Sequence, residues 1–212
     1  MAIKLVSVAN VRTYLNFSST NQDTLLGELV EQVSEDIQNY CDRTFTRGTD
    51  TLEYPIGGGK YLSLKRFPIV SIAHIRYNID SDFSDSTDDI SSDDYKFSAS
   101  LKDEGLVFLK RSKLRVQLSN RTYNTNYVWP DDPDSLQVKY TGGYGNTAGV
   151  LNVPDDLKKA CVIQVAYLFD RRKSLGVRTV SGQEGSLNYE GEYKFLPNVL
   201  AMLDKYKRYT IV

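Results

Sequence analysis

Apolar residues recur every three or four positions between Thr24 and Cys41: Leu26, Leu29, Val30, Val33, Ile37, Tyr40 and Cys41. That spacing predicts a helix with one buried stripe. Glu28, Glu31, Gln32, Glu35, Asp36 and Gln38 form its outer face. A shorter helix is expected ahead of it, from Val8 to about Leu15, with Ser7 as its N-cap. The polar stretch Asn16 to Gln22 reads as a turn, and Asn21 or Asp23 is expected to cap the long helix.

Beyond Cys41 the period falls from 3.6 to 2. Thr51 to Ile56 and Lys60 to Leu64 read as strands, joined as a hairpin by Gly57-Gly58-Gly59. Ile69 to Ile79 is a third strand after Phe67-Pro68. A polar stretch covers Asp80 to Asp94. Strands resume at Tyr95 to Ser98, Leu106 to Leu109, Leu114 to Leu118 and Leu136 to Tyr140, and Gly142-Gly143-Tyr144-Gly145 closes the β-region.

Helical spacing returns at Pro154. Pro at the first helical position, followed by Asp155 and Asp156 in the first turn, is a strong start signal. The segment Ala160 to Phe169 is apolar nearly all round, so this helix must be covered on both sides, by its own domain or by a neighbouring subunit. Lys173 to Phe195 is rich in Gly, Ser and charge and shows little period, so a mobile arm is expected. A last helix starts at Pro197 and runs through Tyr206. The fold class is α+β: a helical bundle core of about four helices with a large antiparallel β-rich insertion between helices 2 and 3. The expected divisions are 1–50 for the N-terminal helices, 51–150 for the insertion, and 151–212 for the central helix, arm and closing helix.

Charge narrows the function classes. With 26 basic and 27 acidic residues the net charge is −1, which gives no general electrostatic pull toward nucleic acid or membrane. No apolar run reaches the roughly 20 residues that span a bilayer. The N-terminus lacks a signal-peptide pattern, so synthesis in the cytoplasm is expected. Cys41 and Cys161 are far apart and read as free thiols in helical cores. Fifteen tyrosines suit half-buried sheets and interfaces.

Catalytic chemistry is hard to find. His74 is the only histidine and reads as a strand residue with a local hydrogen bond. One His and two distant Cys make a zinc site improbable. Gly57-Gly58-Gly59-Lys60 departs from a phosphate loop, because Tyr61 follows the lysine and a strand follows Tyr61. Asp80, Asp82, Asp85, Asp88, Asp89, Asp93 and Asp94 crowd fifteen residues. They lack the Gly and Glu positions of an EF-hand, and the reading adopted is a solvated, partly disordered loop. Basic residues from Lys110 to Arg121, with Tyr123, Tyr127 and Trp129, are the composition of a single-strand binder. The same composition describes a polar face with a few buried aromatics, which is the reading adopted; a nucleic-acid-binding module on the 110–129 face is the alternative function. No cofactor, metal or catalytic residue is expected.

Several segments together resemble the head-tail connector (head-completion adaptor) family of long-tailed bacteriophages. Leu5-Val6-Ser7-Val8 leads to a helix ending Tyr14-Leu15. The acidic helix closes with Tyr40-Cys41-Asp42-Arg43-Thr44-Phe45, similar to the family's aromatic-x-x-Arg-x-Phe ending. Leu62-Ser63-Leu64, Phe67-Pro68-Ile69-Val70-Ser71-Ile72, Val138-Lys139-Tyr140-Thr141-Gly142-Gly143-Tyr144 and Val153-Pro154-Asp155-Asp156-Leu157 follow in the family's order, with Arg171-Arg172 near the end of the long helix. The stretch from Ile79 to Pro133 is much longer than the family's usual hairpin. The resemblance implies a structural virion protein of the neck, forming a ring, commonly of twelve copies, through which DNA passes. The implied partners are the portal protein, neighbouring copies, and a downstream connector or tail-completion protein, with transient non-specific contact to DNA and none to membrane. The arm and terminal helix are implied to engage neighbours, through Arg171, Arg172, Arg178, Tyr189, Tyr193, Phe195 and Tyr206. A lumen that conducts DNA should not grip phosphate, so Asp80, Asp82, Asp85, Asp88 and Asp89 are candidates for an acidic lining.

Overall fold

A computed structural model describes residues 3–110, 117–118, 121–122, 128–172, 179–182, 185–188 and 195–208. In chain order its elements are α1 (Val8–Tyr14), α2 (Asp23–Tyr40), β1 (Gly48–Glu53), β2 (Tyr61–Ser63), β3 (Ile69–Tyr77), β4 (Tyr95–Lys96), α3 (Ala99–Asp103), β5 (Leu106–Leu109), β6 (Gln117–Leu118), β7 (Arg121–Thr122), β8 (Leu136–Gly142), β9 (Asn146–Thr147), β10 (Val150–Leu151), α4 (Asp155–Arg171), β11 (Thr179–Gly182), β12 (Gly185–Asn188) and α5 (Pro197–Leu203). Helices and antiparallel sheets make this an α+β chain. It divides into two compact units: Met1–Cys41 with Thr147–Lys207, and Asp42–Asn146 with Arg208–Val212.

In the first unit, Ser7 caps α1 by accepting the Asn10 amide at 3.2 Å. The cap expected on α2 is absent. Gln22 occupies that position without a side-chain bond, and Asp23 lies inside the first turn, where it pairs with Arg12 at 2.9 Å. Leu26, Val30, Val33 and Ile37 of α2 are buried, and α2 packs along α4. Ser34 is buried among them without cost: its hydroxyl donates to the Val30 carbonyl at 2.6 Å and accepts the Leu5 amide at 3.1 Å. The all-round apolar character of α4 is accounted for inside the chain, since α1, α2 and α5 all pack on it. Pro154 sits one position outside α4, as its N-cap.

The arm expected to lack regular structure contains an antiparallel pair, β11 with β12, in register from Thr179↔Asn188 to Gly182↔Gly185. Its Gly- and Ser-rich sequence has no apolar alternation from which pairing can be read.

The second unit holds two three-stranded antiparallel sheets, in the orders β1-β8-β3 and β2-β5-β4. The hairpin expected between Thr51–Ile56 and Lys60–Leu64 does not form. Pro55 removes a backbone donor just past β1. The glycines that follow then bind elsewhere: the Gly58 amide donates to Trp129 O and the Trp129 amide to Gly59 O, both at 2.8 Å. The flanking strands therefore enter different sheets. The inward residues of both sheets share one core, including Leu62, Ile75, Tyr77, Val107, Leu109, Trp129, Val138 and Tyr140. Helix α3 falls where no element is expected, being too short to show a period. It ends at Gly105, whose φ of +73° places it in the left-handed region. The strand expected over 114–118 is described only at Gln117–Leu118.

Candidate partner surfaces

Four of the seven expected partner-binding residues are described; Arg178, Tyr189 and Tyr193 lie outside the described residues. Arg171 and Arg172 stand at the end of α4, where cations suit the helix dipole. Arg171 donates to the Tyr167 hydroxyl at 3.0 Å. Arg172 donates to the Phe169 carbonyl and lies 3.4 Å from that ring's centroid. Phe17 meets the Phe169 ring edge-on at 5.4 Å. Both Phe17 and Tyr14 are exposed, the latter at 57%. The Phe17 contribution is hidden in sequence, because Asn16 to Gln22 otherwise reads as a polar turn.

Phe195 and Tyr206 make contacts within their own unit. The Phe195 ring lies 5.6 Å from that of Tyr40, and the Leu196 amide donates to the buried Gln164 side chain at 3.1 Å. Tyr206 and Lys205 both bond to Asp156. Tyr40 donates to Asp204 at 2.8 Å, and Lys207 pairs with Asp204 at 3.1 Å while sitting 4.0 Å over the Tyr40 ring. The hydroxyl of Tyr40, and then Lys207, hold the Asp204 carboxyl below its ordinary value; Tyr40 and then Asp204 raise Lys207. This clasp fastens the chain after α5 to α2 and α4.

The acidic loop is built, where partial disorder is expected. Asp85 caps a 3-10 turn at Ser86–Asp88 by accepting the Thr87 amide at 2.9 Å. Asp82 does the same for Ser84 at 3.1 Å. The Ser84 side chain and then its amide lower the Asp82 carboxyl, and the Thr87 amide and then its side chain lower that of Asp85. Asp88 accepts from Asn78 at 2.9 Å and Asp89 from Arg76 at 2.6 Å, while the Asp80 amide donates to Asn78. Asp82 and Asp85 are thus turn-makers, while Asp88 and Asp89 tie the loop to Asn78 and Arg76. Among the described residues no three His, Cys, Asp or Glu side chains are grouped to hold a metal ion.

The other chemical candidates have structural roles. His74 Nε2 is 3.4 Å from Gln137 Oε1, on the outer face of the β1-β8-β3 sheet. Burial pushes the Cys161 thiol up to about 12. Cys41 is also a buried free thiol. Trp129 is unavailable for stacking on a base: it is fully buried, and its indole donates to Val107 O at 3.2 Å. The rest of the basic-aromatic face lies almost wholly outside the described residues. Arg43, from the aromatic-x-x-Arg-x-Phe segment, is buried with its guanidinium 3.2 Å from the Phe67 ring centroid and 4.7 Å from that of Phe45. Leu52, Tyr54 and Ile56 are exposed, at 50%, 49% and 78%, although their sequence carries no sign of it. The strand reading of 51–56 does not say which face meets the core.

The sequence profile of the head completion protein family matches residues 4–209. Among solved structures, the chain is similar to one titled the neck of an empty gene transfer agent (GTA) particle computed with C6 symmetry. The identity is 13%, the match covers 98% of this chain and 92% of that one, and the TM-score is 0.51, a likeness of fold. A chain of the virion of the native gene transfer agent particle aligns at 13% identity over 100% of this chain and 95% of that one, with a TM-score of 0.48. A comparison with curated proteins finds no significant match.

Proposed function

Since the chain belongs to the head completion protein family, we propose that it is a structural subunit of the virion neck, a head-tail connector rather than an enzyme. The observation that carries this reading is the family match across residues 4–209, nearly the whole chain. The site geometry agrees with it: aspartates cap turns, tyrosines clasp helices, and the arginines at the end of α4 stack on aromatic rings.

In this reading, copies of the chain form a ring, commonly of twelve, beneath the portal protein. The other side of the ring receives a downstream connector or tail-completion protein, and DNA passes through the middle. The helical unit is the core of the ring and the β-rich unit its elaborated insertion. Arg171, Arg172, Arg178, Tyr189, Tyr193, Phe195 and Tyr206 are placed at or near its contacts. The exposed aspartates of the 80–89 loop suit a surface past which DNA slides, since like charge prevents adhesion.

The test is to mix the protein with the portal protein of the same virus and image the products. Ring-shaped complexes are expected, and failure to form any complex under assembly conditions overturns the reading.

A further inference from the structure

The end of α4 carries an unusual exterior for a helical unit. Arg172 stacks on Phe169, the exposed Phe17 meets the same ring, Arg171 bonds to Tyr167, and Tyr14, three residues before Phe17, is exposed as well. Arginine and exposed aromatics together are the composition of binding hot spots. Stacking holds each guanidinium in place, so little freedom is lost when it meets a carboxylate.

A surface of complementary charge exists on the same unit. Helix α2 has five acidic residues, Asp23, Glu28, Glu31, Glu35 and Asp36, and no Lys or Arg. Asp23 pairs with Arg12 and Glu31 with Lys4. Glu28, Gln32, Glu35 and Asn39 are exposed at spacings of four, three and four, one stripe opposite the buried Val30, Val33 and Ile37. This pattern works against the helix that bears it. Glu31 and Glu35 are like charges one turn apart. Glu35 and Asp36 oppose the dipole in the C-terminal half, and the last turn holds no basic residue. A local conflict of this kind points to use elsewhere.

The two surfaces do not meet within one chain. Ser34 lies 3.8 Å from Cys161, and Phe17, ahead of α2, packs on Phe169, so α2 and α4 run antiparallel. Arg171 is ten residues, about 15 Å, beyond Cys161 along α4, which brings it level with the first turn of α2. What separates the two surfaces is direction: the acidic stripe lies opposite the buried face that α2 turns to α4.

We propose that the Arg171–Arg172 end of α4 in one copy docks on the Glu28–Glu35 stripe of α2 in the next copy. This rests on the neck-ring reading above. Because two different surfaces meet, the contact is head-to-tail, the kind that closes into a ring.

The test uses full-length chains with two double reversals, Glu28→Lys with Glu35→Lys, and Arg171→Glu with Arg172→Glu, each followed by imaging of rings with the portal protein. Each variant alone is expected to lose ring assembly, because the docking surfaces then carry like charge. Mixing the two is expected to restore rings of alternating copies, which a folding defect in either variant does not allow. Assembly of either variant alone at the wild-type level overturns the proposal. So does wild-type assembly without rescue in the mixture. Wild-type protein that forms no ring with the portal protein overturns the neck-ring reading, and this contact with it.

Discussion

The core of the helical unit is mainly aliphatic and small, with Phe169 as an aromatic exception. Leu26, Val30, Val33 and Ile37 of α2 are buried in the same unit as Ala160, Cys161, Val165 and Ala166 of α4. The core of the β-rich unit adds aromatic rings to its aliphatic residues, and three of those rings carry polar handles. Trp129 donates to Val107 O, Tyr77 donates to Asp132 at 3.0 Å, and Tyr140 donates to Glu53 at 2.5 Å while accepting the Arg66 amide at 3.0 Å. Burial and then the Glu53 charge raise the Tyr140 phenol, so it stays a donor. Helices satisfy their own backbones, so their packing asks only for shape. The β-rich unit has long connections that need fixed anchor points, and buried aromatics with one hydrogen-bonding end supply them.

Trp129→Ala is expected to be the largest break, costing about 3–5 kcal/mol, because it leaves both a cavity and the Val107 carbonyl without its donor. Denaturant unfolding measures the cost, and hydrogen exchange should show β5 and β8 loosening first. Ile37→Ala attacks the aliphatic core instead and should cost about 2–5 kcal/mol with exchange rising in α2 and α4. If both substitutions gave the same exchange pattern, the contrast between the two cores would have no consequence for stability. Tyr140→Phe sharpens the comparison, since it keeps the ring and removes the handle. About 1–3 kcal/mol is expected from the Arg66 amide left without its acceptor, since Glu53 keeps the Lys65 amide, and it is read from the shift of the denaturation midpoint.

The smallest effect is in the helical unit, at the clasp behind α5. Asp204 has a folded value below its ordinary 3.8, so its stabilisation is complete above about pH 4 and is lost as pH falls through the lowered value. Lys207 is raised above 10.5, so its contribution is present below that pH and is lost as pH rises through the raised value. Both groups are exposed. Asp204→Asn should therefore lower the melting temperature slightly from about pH 4 through the neutral range and leave it unchanged in acid, so that the acid limb of the curve flattens.

Periodicity located the helices well, because a helix is a local object. The stripe from Thr24 to Cys41 became Asp23–Tyr40, and the start signal at Pro154 led into Asp155–Arg171. Strand positions were legible too, Leu106–Leu109 among them, but their partners were not. Strand β1 pairs with β8, beyond some eighty intervening residues, and nothing in Thr51–Ile56 names that partner. The candidate surfaces divide in the same way. The Arg171-Arg172 run and the Tyr167 and Phe169 rings it meets are local to α4, whereas the Phe17 ring that joins them crosses from ahead of α2. Likewise the aspartates of the 80–89 loop are conspicuous in sequence. Their work as turn caps depends on which amide each one reaches.

The helical unit takes its residues from both ends of the chain, 1–41 and 147–207. That sets a clock on synthesis. The ribosome adds about 5–20 residues per second, so the hundred or so residues of the β-rich unit take about 5–20 s to emerge. Throughout that interval Leu26, Val30, Val33 and Ile37 have only α1 and the preceding segment to lie against, while the β-rich unit has nearly all its residues in hand before α4 appears. The nascent chain therefore holds an open apolar seam on a seconds timescale, and α4 closes it.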